Sequence, residues 1–441
     1  MKRALLLLLL ASPAWAQTPG TPLTLEAAAR RALDVHPGVR SAAAAVAGAD
    51  AAVGEARSRW FPQLTTQASL IRFQEPMVVT PIHGFDQAQL GQIAFDQTLI
   101  QGNLSLGFTL FDGGARGARI RAARADAAAR DAELTATEAD LLADVAARFL
   151  DVVTAGDVLA AQEGGVRALA AERDRVTRLV TEGEAADVEL LRVQAALAQA
   201  EADRISAATR LDVARSGLAR AIGVSALPDA LRPVRLTAGP LPARDALRAA
   251  LAQHNPRLIE AERSVESARM TRRAAVAAWF PQLDALGGLY AYGSGAGSFT
   301  TEWQAGVRLS YPLFSGGARS GAVTRTGALA TVAEERYHLA VLDAEDALDR
   351  ALGAVADAAA RADAVESVVT HLTDVARIEL LSLQSGAGTE VEYLRAEADV
   401  RRARAQLAEV RAAEINARVA LANLTGDLSL DWLAQAVENV P

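Results

Sequence analysis

The sequence contains no cysteine, so no disulfide bond stabilises the fold and no lipid can be attached through an amino-terminal cysteine. Aromatic residues make up only 5% of the chain, although hydrophobic residues make up 51%. Much of that apolar content is alanine, which suits long, closely packed helices better than the core of a compact enzyme. After the amino-terminal segment, no stretch provides the ~18 uninterrupted apolar residues of a transmembrane helix.

The sequence also contains no recognisable catalytic motif. The chain has five histidines, and none lies in a metal-binding spacing such as H-E-x-x-H. No G-x-S-x-G nucleophile motif is present, and the glycine-rich segment "GSGAGSF" (293–299) lacks the lysine of a phosphate-binding loop. The formal net charge of −8 argues against a nucleic-acid partner. The sequence therefore predicts no enzyme, no cofactor and no metal site. The five histidines are His36, His83, His254, His338 and His371.

The first residues, "MKRALLLLLLASPAWA", have the pattern of a secretory signal peptide. A charged start is followed by a short leucine run and by an Ala-x-Ala cleavage site that ends at Ala16. The leucine run is too short to span a membrane. We expect residues 1–16 to be removed and the mature protein to leave the cytoplasm.

Several short motifs occur twice, in the same order. The second copy follows the first by 219 residues in the early motifs and by 203 residues in the later ones. A duplication with one longer loop in the first half explains both spacings, so we predict one fold made of two similar halves. The paired motifs are "WFPQL" at Trp60 and Trp279, "FDGGAR" at Phe111 with "FSGGAR" at Phe314, and "EGEAADVELLR" at Glu182 with "SGAGTEVEYLR" at Ser385.

Hydrophobic periodicity predicts two pairs of strands. Apolar and polar residues alternate in 97–111 and in 302–311, and more weakly in 64–71 and 283–291. We expect the turn of the first pair to be a long loop from Phe73 to Phe95, and that of the second pair to be 293–299.

Long helices are predicted beside these strands. Residues 24–59 form a helix capped by Thr24 and broken at Pro37. Residues 115–181 and 318–384 contain no proline, and each would form a helix of about 100 Å. An apolar stripe within the second has coiled-coil spacing. It consists of Val365, Val368, Leu372 and Val375.

Aromatic residues mark both ends of each strand pair, because Trp-Phe-Pro precedes it and Phe-x-Gly-Gly follows it. Such a group is typical of the aromatic girdle of a membrane β-barrel, and a soluble sheet whose aromatics pack on a helix is the alternative. Four strands are too few to close a barrel, and open sheet edges are not tolerated in lipid. Three copies would supply twelve strands, enough for a closed barrel. The predicted membrane-interface aromatics are Trp60, Phe61, Phe111, Trp279, Phe280 and Phe314.

On these motifs, their order and their spacing, the mature chain resembles the TolC-type outer membrane factor family. The resemblance implies a homotrimer with a twelve-stranded β-barrel in the Gram-negative outer membrane and a periplasmic barrel of antiparallel helical hairpins. It implies a passive export duct of a tripartite efflux or type I secretion system. A periplasmic adaptor would open the duct, and an inner-membrane efflux pump or ABC exporter would power it. A soluble periplasmic coiled-coil scaffold or adaptor is the alternative.

The resemblance also implies a division of the chain. The signal peptide, 1–16, precedes a first repeat, 17–223, with its β-hairpin at 63–111 and a helical-hairpin tip near 183. A proline-rich connector, 224–243, leads to a second repeat, 244–426, with its β-hairpin at 282–314 and a tip near 386. Residues 427–441 form a carboxy-terminal tail.

Individual residues at the two tips follow from the resemblance. Gly183 and Gly386 fall on the tip glycines where the adaptor would dock. Glu189, Arg192, Glu392 and Arg395 fall at the periplasmic aperture. The arginines depart from well-known members, which place a second acidic residue at the later position of the second hairpin. The alternative is that Glu189/Arg192 and Glu392/Arg395 are ordinary i, i+3 surface pairs.

Overall fold

The structure, a computed structural model, describes residues 22–79, 95–228, 230–237, 239–297 and 299–439. The predicted signal peptide lies outside the described residues, and so does 80–94 of the predicted first loop. None of the described helices is both long enough and apolar enough to cross a membrane.

The first half of the chain begins with two helices separated at His36. The Thr24 hydroxyl accepts a hydrogen bond from the Ala27 amide at 3.2 Å, which caps the first helix, and Pro37 begins the second. Both signals predicted from the sequence are confirmed. The elements are α1 (Leu25–Val35), α2 (Pro37–Ser58), β1 (Gln63–Val78), β2 (Phe95–Phe111), α3 (Ala115–Glu182) and α4 (Asp187–Ala221).

The second half has the same order of two helices, two strands, a very long helix and a shorter one. This order supports the twofold repeat, which stays a prediction. After β3 (Val234–Leu236) in the connector come α5 (Arg244–His254), α6 (Pro256–Val276), β4 (Gln282–Ser294), β5 (Phe299–Ser310), α7 (Ala318–Gln384), α8 (Glu390–Thr425), α9 (Leu430–Ala436) and β6 (Val437–Asn439).

The structure corrects the start of the predicted first loop. We expected the loop from Phe73, but β1 continues to Val78, which pairs with Phe95. The pairing shifts register between Arg72 and Met77. Pro76 lies in that interval, and proline has no N–H for a ladder hydrogen bond. The irregularity interrupts the alternation that the prediction relied on.

A second sheet joins the connector to the tail. β3 pairs antiparallel with β6, and the Arg235 guanidinium lies 3.4 Å from the Glu438 carboxylate. Each strand has three residues, which is too short for a period of two to show. The sequence therefore predicts no strand in either segment, and the pairing is visible only in the structure.

The chain forms two compact units, and each draws on both halves of the sequence. Among the described residues, one unit contains those up to 39, those in 138–251 and those from 345 onward. Its core is formed by side chains of the long helices, such as Phe149, Leu218, Leu348 and Val419. The other contains 40–137 and 252–344, including strands β1, β2, β4 and β5.

Candidate functional site

The four longer strands form one antiparallel sheet in the order β1-β2-β4-β5. Residues in register therefore form rows across the sheet, such as Leu64, Leu106, Gly287 and Ala305. Side chains of one row point to the same face, and the next row points to the other face. Within the described chain, β1 and β5 have a partner on one side only, so they are edge strands.

One face of this sheet is apolar and exposed. Trp303 is 75% exposed, and Leu70 and Val307 are above 70%. A contiguous apolar surface of this kind needs a covering of lipid or protein, because water solvates it poorly. The large exposed residues of this face are Leu64, Leu70, Leu104, Leu106, Leu289, Phe299, Trp303, Val307 and Leu309.

The opposite face is polar and is joined by side-chain hydrogen bonds. The Asp284 carboxylate accepts from the Thr109 hydroxyl at 2.8 Å and from the Gln282 amide at 3.0 Å. Arg308 is its partner in register on β5. Gln304 donates to Glu302 at 3.1 Å. A sheet with one apolar and one polar face matches the wall of a water-filled membrane barrel. Other polar residues of this face are Gln63, Thr65, Gln67, Ser69, Gln101, Asn103, Ser105, Tyr290, Tyr292, Thr300 and Ser310.

A cavity of about 870 Å³ adjoins the same polar face. Gln63, Thr109, Gln282 and Asp284 of the sheet line it, together with charged residues of α2 and α3 and with Phe61 and Phe280 in the turns that precede the strands. Its lining combines charged and polar side chains with apolar ones in similar proportion.

The repeated "WFP" and "GGAR" motifs contact each other. The Arg116 guanidinium lies 4.5 Å from the centre of the Trp60 ring, and that of Arg319 lies 4.7 Å from the Trp279 ring. Cation–π stacking therefore connects the entry of each strand pair to its exit. The repetition of both motifs is visible in the sequence, but the contact between arginine and tryptophan is visible only in the structure.

Glycine at the exit of the first strand pair has a local reason. Gly113 has φ +65°, and a Cβ atom added there would lie 2.7 Å from the Phe280 Cβ and 2.8 Å from the Ala277 carbonyl oxygen. Only glycine combines this backbone conformation with so close an approach. The second motif copy, which contains Phe280, thus packs directly against the first.

The six predicted interface aromatics are all exposed in the described chain. Their exposed fractions range from 46% for Phe111 and Trp279 to 87% for Phe314. All six belong to the compact unit that contains the four-stranded sheet. Their placement at a membrane surface stays a prediction.

Both predicted tip glycines lie in tight helix-to-helix turns. Gly183 and Gly386 have φ values of +79° and +74°. Beyond Gly183, the Glu184 amide donates to the Leu179 carbonyl at 2.8 Å; beyond Gly386, the Ala387 amide donates to Ser382 at 2.9 Å. These bonds satisfy carbonyl groups that a helix end leaves free. Nothing lies within 4 Å of a Cβ atom at either glycine, so the backbone alone demands glycine there.

Glu392 caps the second returning helix. Its carboxylate accepts from the Thr389 backbone amide and hydroxyl, both at 2.9 Å, and the Thr389 hydroxyl accepts from the Glu392 amide at 3.2 Å. This capping box holds the pKa of Glu392 below its usual value, chiefly through the hydrogen bond from the Thr389 backbone. Glu392 was predicted at the aperture from the family resemblance, and its capping role was not predicted.

Arg395 pairs across the two hairpins. Its guanidinium donates to the Glu172 carboxylate on α3 at 3.2 Å, and Arg175 donates to the same carboxylate at 2.9 and 3.0 Å. The Glu172 side chain is only 6% exposed, whereas that of Arg395 is 59% exposed. The hydrogen bonds from Arg175, followed by the charges of Arg175 and Arg395, hold the pKa of Glu172 below its usual value.

The predicted aperture residues belong to a larger group of charges. Glu189 and Glu392 both lie close enough to Arg175 to help raise its pKa, after the larger effect of Glu172. We call Glu172, Arg175, Glu189, Glu392 and Arg395 the tip cluster. Arg192 is exposed on α4. Glu172 and Arg175 were missed, because "ERDR" (172–175) has the appearance of an ordinary solvated helix face.

The apolar stripe of α7 is partly covered in the described chain. Leu372 packs against a buried cluster of Ala376, Ala396 and Val400, which joins α7 to α8. Val368 and Val375 remain 46% and 44% exposed. Packing against α8 therefore covers only part of the stripe.

Comparison with known proteins gives a consistent result. The sequence profile described as "Outer membrane efflux protein" matches residues 28–224 and 247–427. The outer membrane efflux protein BepC of Brucella suis is 25% identical over an alignment of 439 residues. The alignment covers 94% of this chain and 88% of BepC.

Two solved structures show the same fold. The CmeC outer membrane channel of Campylobacter jejuni superposes with a TM-score of 0.75 at 15% identity, over 94% of this chain and 90% of its own. The outer membrane protein VceC of Vibrio cholerae superposes with a TM-score of 0.73 at 17% identity, over 91% of this chain and 96% of VceC. At these identities the likeness supports the architecture, and the family profile supports the function.

Proposed function

Because the chain belongs to the outer membrane efflux protein family, and is thus an efflux channel of the outer membrane rather than an enzyme, we propose that three copies form its duct. The four-stranded sheets of the copies close into one twelve-stranded barrel, with the polar face inward and the apolar face in lipid. The helical hairpins form the periplasmic part. The two-faced sheet with two open edges carries this proposal.

Open edges make association necessary in a bilayer. The unpaired N–H and C=O groups of β1 and β5 have no water partner there, and each costs several kcal/mol. Pairing β5 of one copy with β1 of the next satisfies both edges and preserves the alternation of faces. The alternative hypothesis, a soluble coiled-coil scaffold, does not explain an exposed apolar face on the sheet.

The helices offer further surface for association. Large apolar side chains are exposed on α4 and on α7, which includes the uncovered part of the Val365–Val375 stripe. Their burial between copies would contribute about 25 cal/mol for each Å². These residues are Val188, Leu191, Ile205 and Val213 on α4, and Leu329, Val332, Leu339, Leu342, Val368, Val375, Ile378 and Leu381 on α7.

We expect the detergent-solubilised protein to be a trimer. Mass determination by light scattering, corrected for bound detergent, should give three chains for each particle. A folded monomer extracted from the membrane would contradict the barrel, because a single sheet leaves two open edges in lipid.

The orientation of the two faces can be tested at neighbouring residues. The chain has no cysteine, so Gln304→Cys and Trp303→Cys each introduce a unique thiol, on the polar and on the apolar face respectively. In assembled outer membranes, a charged, membrane-impermeant thiosulfonate should modify the thiol of Gln304→Cys readily. Trp303→Cys should react at least about tenfold more slowly, since lipid excludes a charged reagent.

The control is a second labelling of both variants in denaturant, where the two thiols should react alike. Equal reaction at both positions in intact membranes would mean that water covers both faces. Faster reaction at Trp303→Cys would mean that the face carrying Trp303 contacts water and the opposite face does not. Either result would contradict a lipid-embedded barrel.

For the helical tips we propose docking of a periplasmic adaptor that connects the duct to an inner-membrane pump or exporter. The support is the geometry of the turns at Gly183 and Gly386, which expose backbone without an obstructing side chain. For the aperture, Glu189, Arg192, Glu392 and Arg395 remain our candidates, because each lies six or nine residues beyond a tip glycine. We propose that the contact of Arg395 with Glu172 holds the second hairpin against the first and thereby favours a closed end.

A further inference from the structure

The two Trp–Arg stacks of the repeat differ in one respect. Asp112 neutralises Arg116, since its carboxylate lies 3.3 Å from the guanidinium and also accepts from the Arg116 amide at 2.8 Å. In the second copy, Ser315 stands where the first has Asp112. Its hydroxyl accepts from the Arg319 guanidinium at 3.3 Å but brings no charge.

Arg319 is therefore a cation with incomplete partners. Among the described residues, no carboxylate lies within ion-pair distance of it. Its Nη2 donates to the Leu313 carbonyl at 3.4 Å, a long bond, and its Nη1 is buried without a hydrogen-bond partner among the described residues. Arg116, in contrast, is only 6% exposed, and Arg319 is partly exposed.

In the single chain, the surroundings of Arg319 are apolar and exposed. Its guanidinium lies over Trp279 and 5.4 Å from the Tyr311 ring centre, and both aromatics are more than 40% exposed. Leu313 and Phe314 are 88% and 87% exposed. Tyr311 directly follows β5 and continues the alternation of its apolar face. An arginine at such an edge suits the phosphate of a lipid whose chains lie along the apolar face.

We propose that Arg319 binds the phosphate of an anionic phospholipid headgroup, at three equivalent sites around the barrel. The inference rests on the proposed placement of the sheet in the membrane. Guanidinium groups donate two parallel hydrogen bonds to phosphate oxygens, and the Trp279 ring fixes the plane of the group. Arg116 forms no such site, because Asp112 neutralises its charge and the residue is only 6% exposed.

The repeat supplies matched variants for a test. Ser315→Asp gives Arg319 the internal carboxylate of the first copy, and Asp112→Ser removes that carboxylate from Arg116. We would count phosphatidylglycerol molecules retained by each trimer in native mass spectrometry, with diacylglycerol as a probe that lacks phosphate. The parent should retain phosphatidylglycerol over diacylglycerol. Ser315→Asp should lower its retention about tenfold, whereas Asp112→Ser should leave it unchanged, because Arg116 is only 6% exposed.

Arg319→Gln should match Ser315→Asp, although it also loses the stack on Trp279. Ser315→Asp keeps that stack, so it remains informative if Arg319→Gln does not fold. Added inorganic phosphate should compete weakly, because it lacks acyl chains; full displacement by it would overturn a lipid site. Unchanged phosphatidylglycerol retention in Ser315→Asp would also overturn the proposal.

Labelling at Gln304→Cys and Trp303→Cys separates the two possible failures. A protected Trp303→Cys with unchanged lipid retention would refute the lipid site alone. Loss of that protection would refute the membrane placement on which the site depends.

Discussion

Arg395→Glu is expected to open the channel. The change replaces a favourable partner of the nearly buried Glu172 carboxylate by a like charge on the facing helix. Arg395 is largely exposed, so solvent screening limits the contribution to about 1 kcal/mol for each copy. Three copies acting together would then shift the closed-to-open ratio by up to about 100-fold. Single-channel recording of the purified trimer in planar bilayers should show a larger open fraction.

The salt dependence and a matched variant identify the cause. The increase should be greatest at low salt, where screening is weakest. Arg402→Glu makes the same charge change on the same helix, at a residue paired with Asp399 and 70% exposed. It should conduct like the parent. If Arg395→Glu and Arg402→Glu behave alike at every salt concentration, the contact with Glu172 does not control opening.

The pH response of the parent follows from the same carboxylate. The pKa of Glu172 is lowered, mainly by Arg175, so its ionised form stabilises the contact at all pH values above the ordinary pKa. This contribution is lost as the pH falls through the lowered value. The open fraction should therefore stay constant from neutral pH to about pH 4 and rise below it. Arg395→Ala should show a smaller rise, since part of the contact is already absent.

Much of the architecture could be predicted because the patterns are local. Alternation in 97–111 and 302–311 predicted β2 and β5 within a few residues. Glycines marked the ends of α3 and α7, which begin at Ala115 and Ala318 as expected. The prediction of a loop from Phe73 to Val78 was wrong for an equally local reason, because the irregularity beside Pro76 removes the alternation.

The tip cluster could not be predicted in the same way. Arg395 and Glu172 are 223 residues apart in sequence, and their contact depends on how the two hairpins pack. The charges of "ERDR" are the same whether a neighbouring helix covers Glu172 or water does. The spacing of Glu392 and Arg395 correctly indicated one helix, but the capping role of Glu392 required the conformation of Thr389 as well.

Gly386→Val is expected to abolish export while the trimer remains intact. The φ of +74° at Gly386 is strained for any residue with a Cβ atom, and most strained for a β-branched one. No atom lies within 4 Å of the added Cβ, so the rest of the hairpin has no reason to move. The valine would distort the turn that we propose as the docking surface of the adaptor. Substrate export by cells that carry the complete pump should fall to background, whereas the trimer mass stays that of the parent.

Two further variants separate turn geometry from other causes. Gly386→Asn adds a side chain but tolerates the left-handed conformation, so export should largely persist if the geometry of the turn is what the adaptor recognises. Gly297→Val imposes the same kind of strain, at φ +88° with free space around it, in the turn between β4 and β5. It should leave export unchanged, since that turn is not a docking surface. Export by Gly386→Val at the parental rate, or equal loss in Gly297→Val, would show that the tip turn has no special part in docking. If Gly386→Asn loses export as completely as Gly386→Val, the adaptor requires a bare backbone at Gly386 rather than a particular turn.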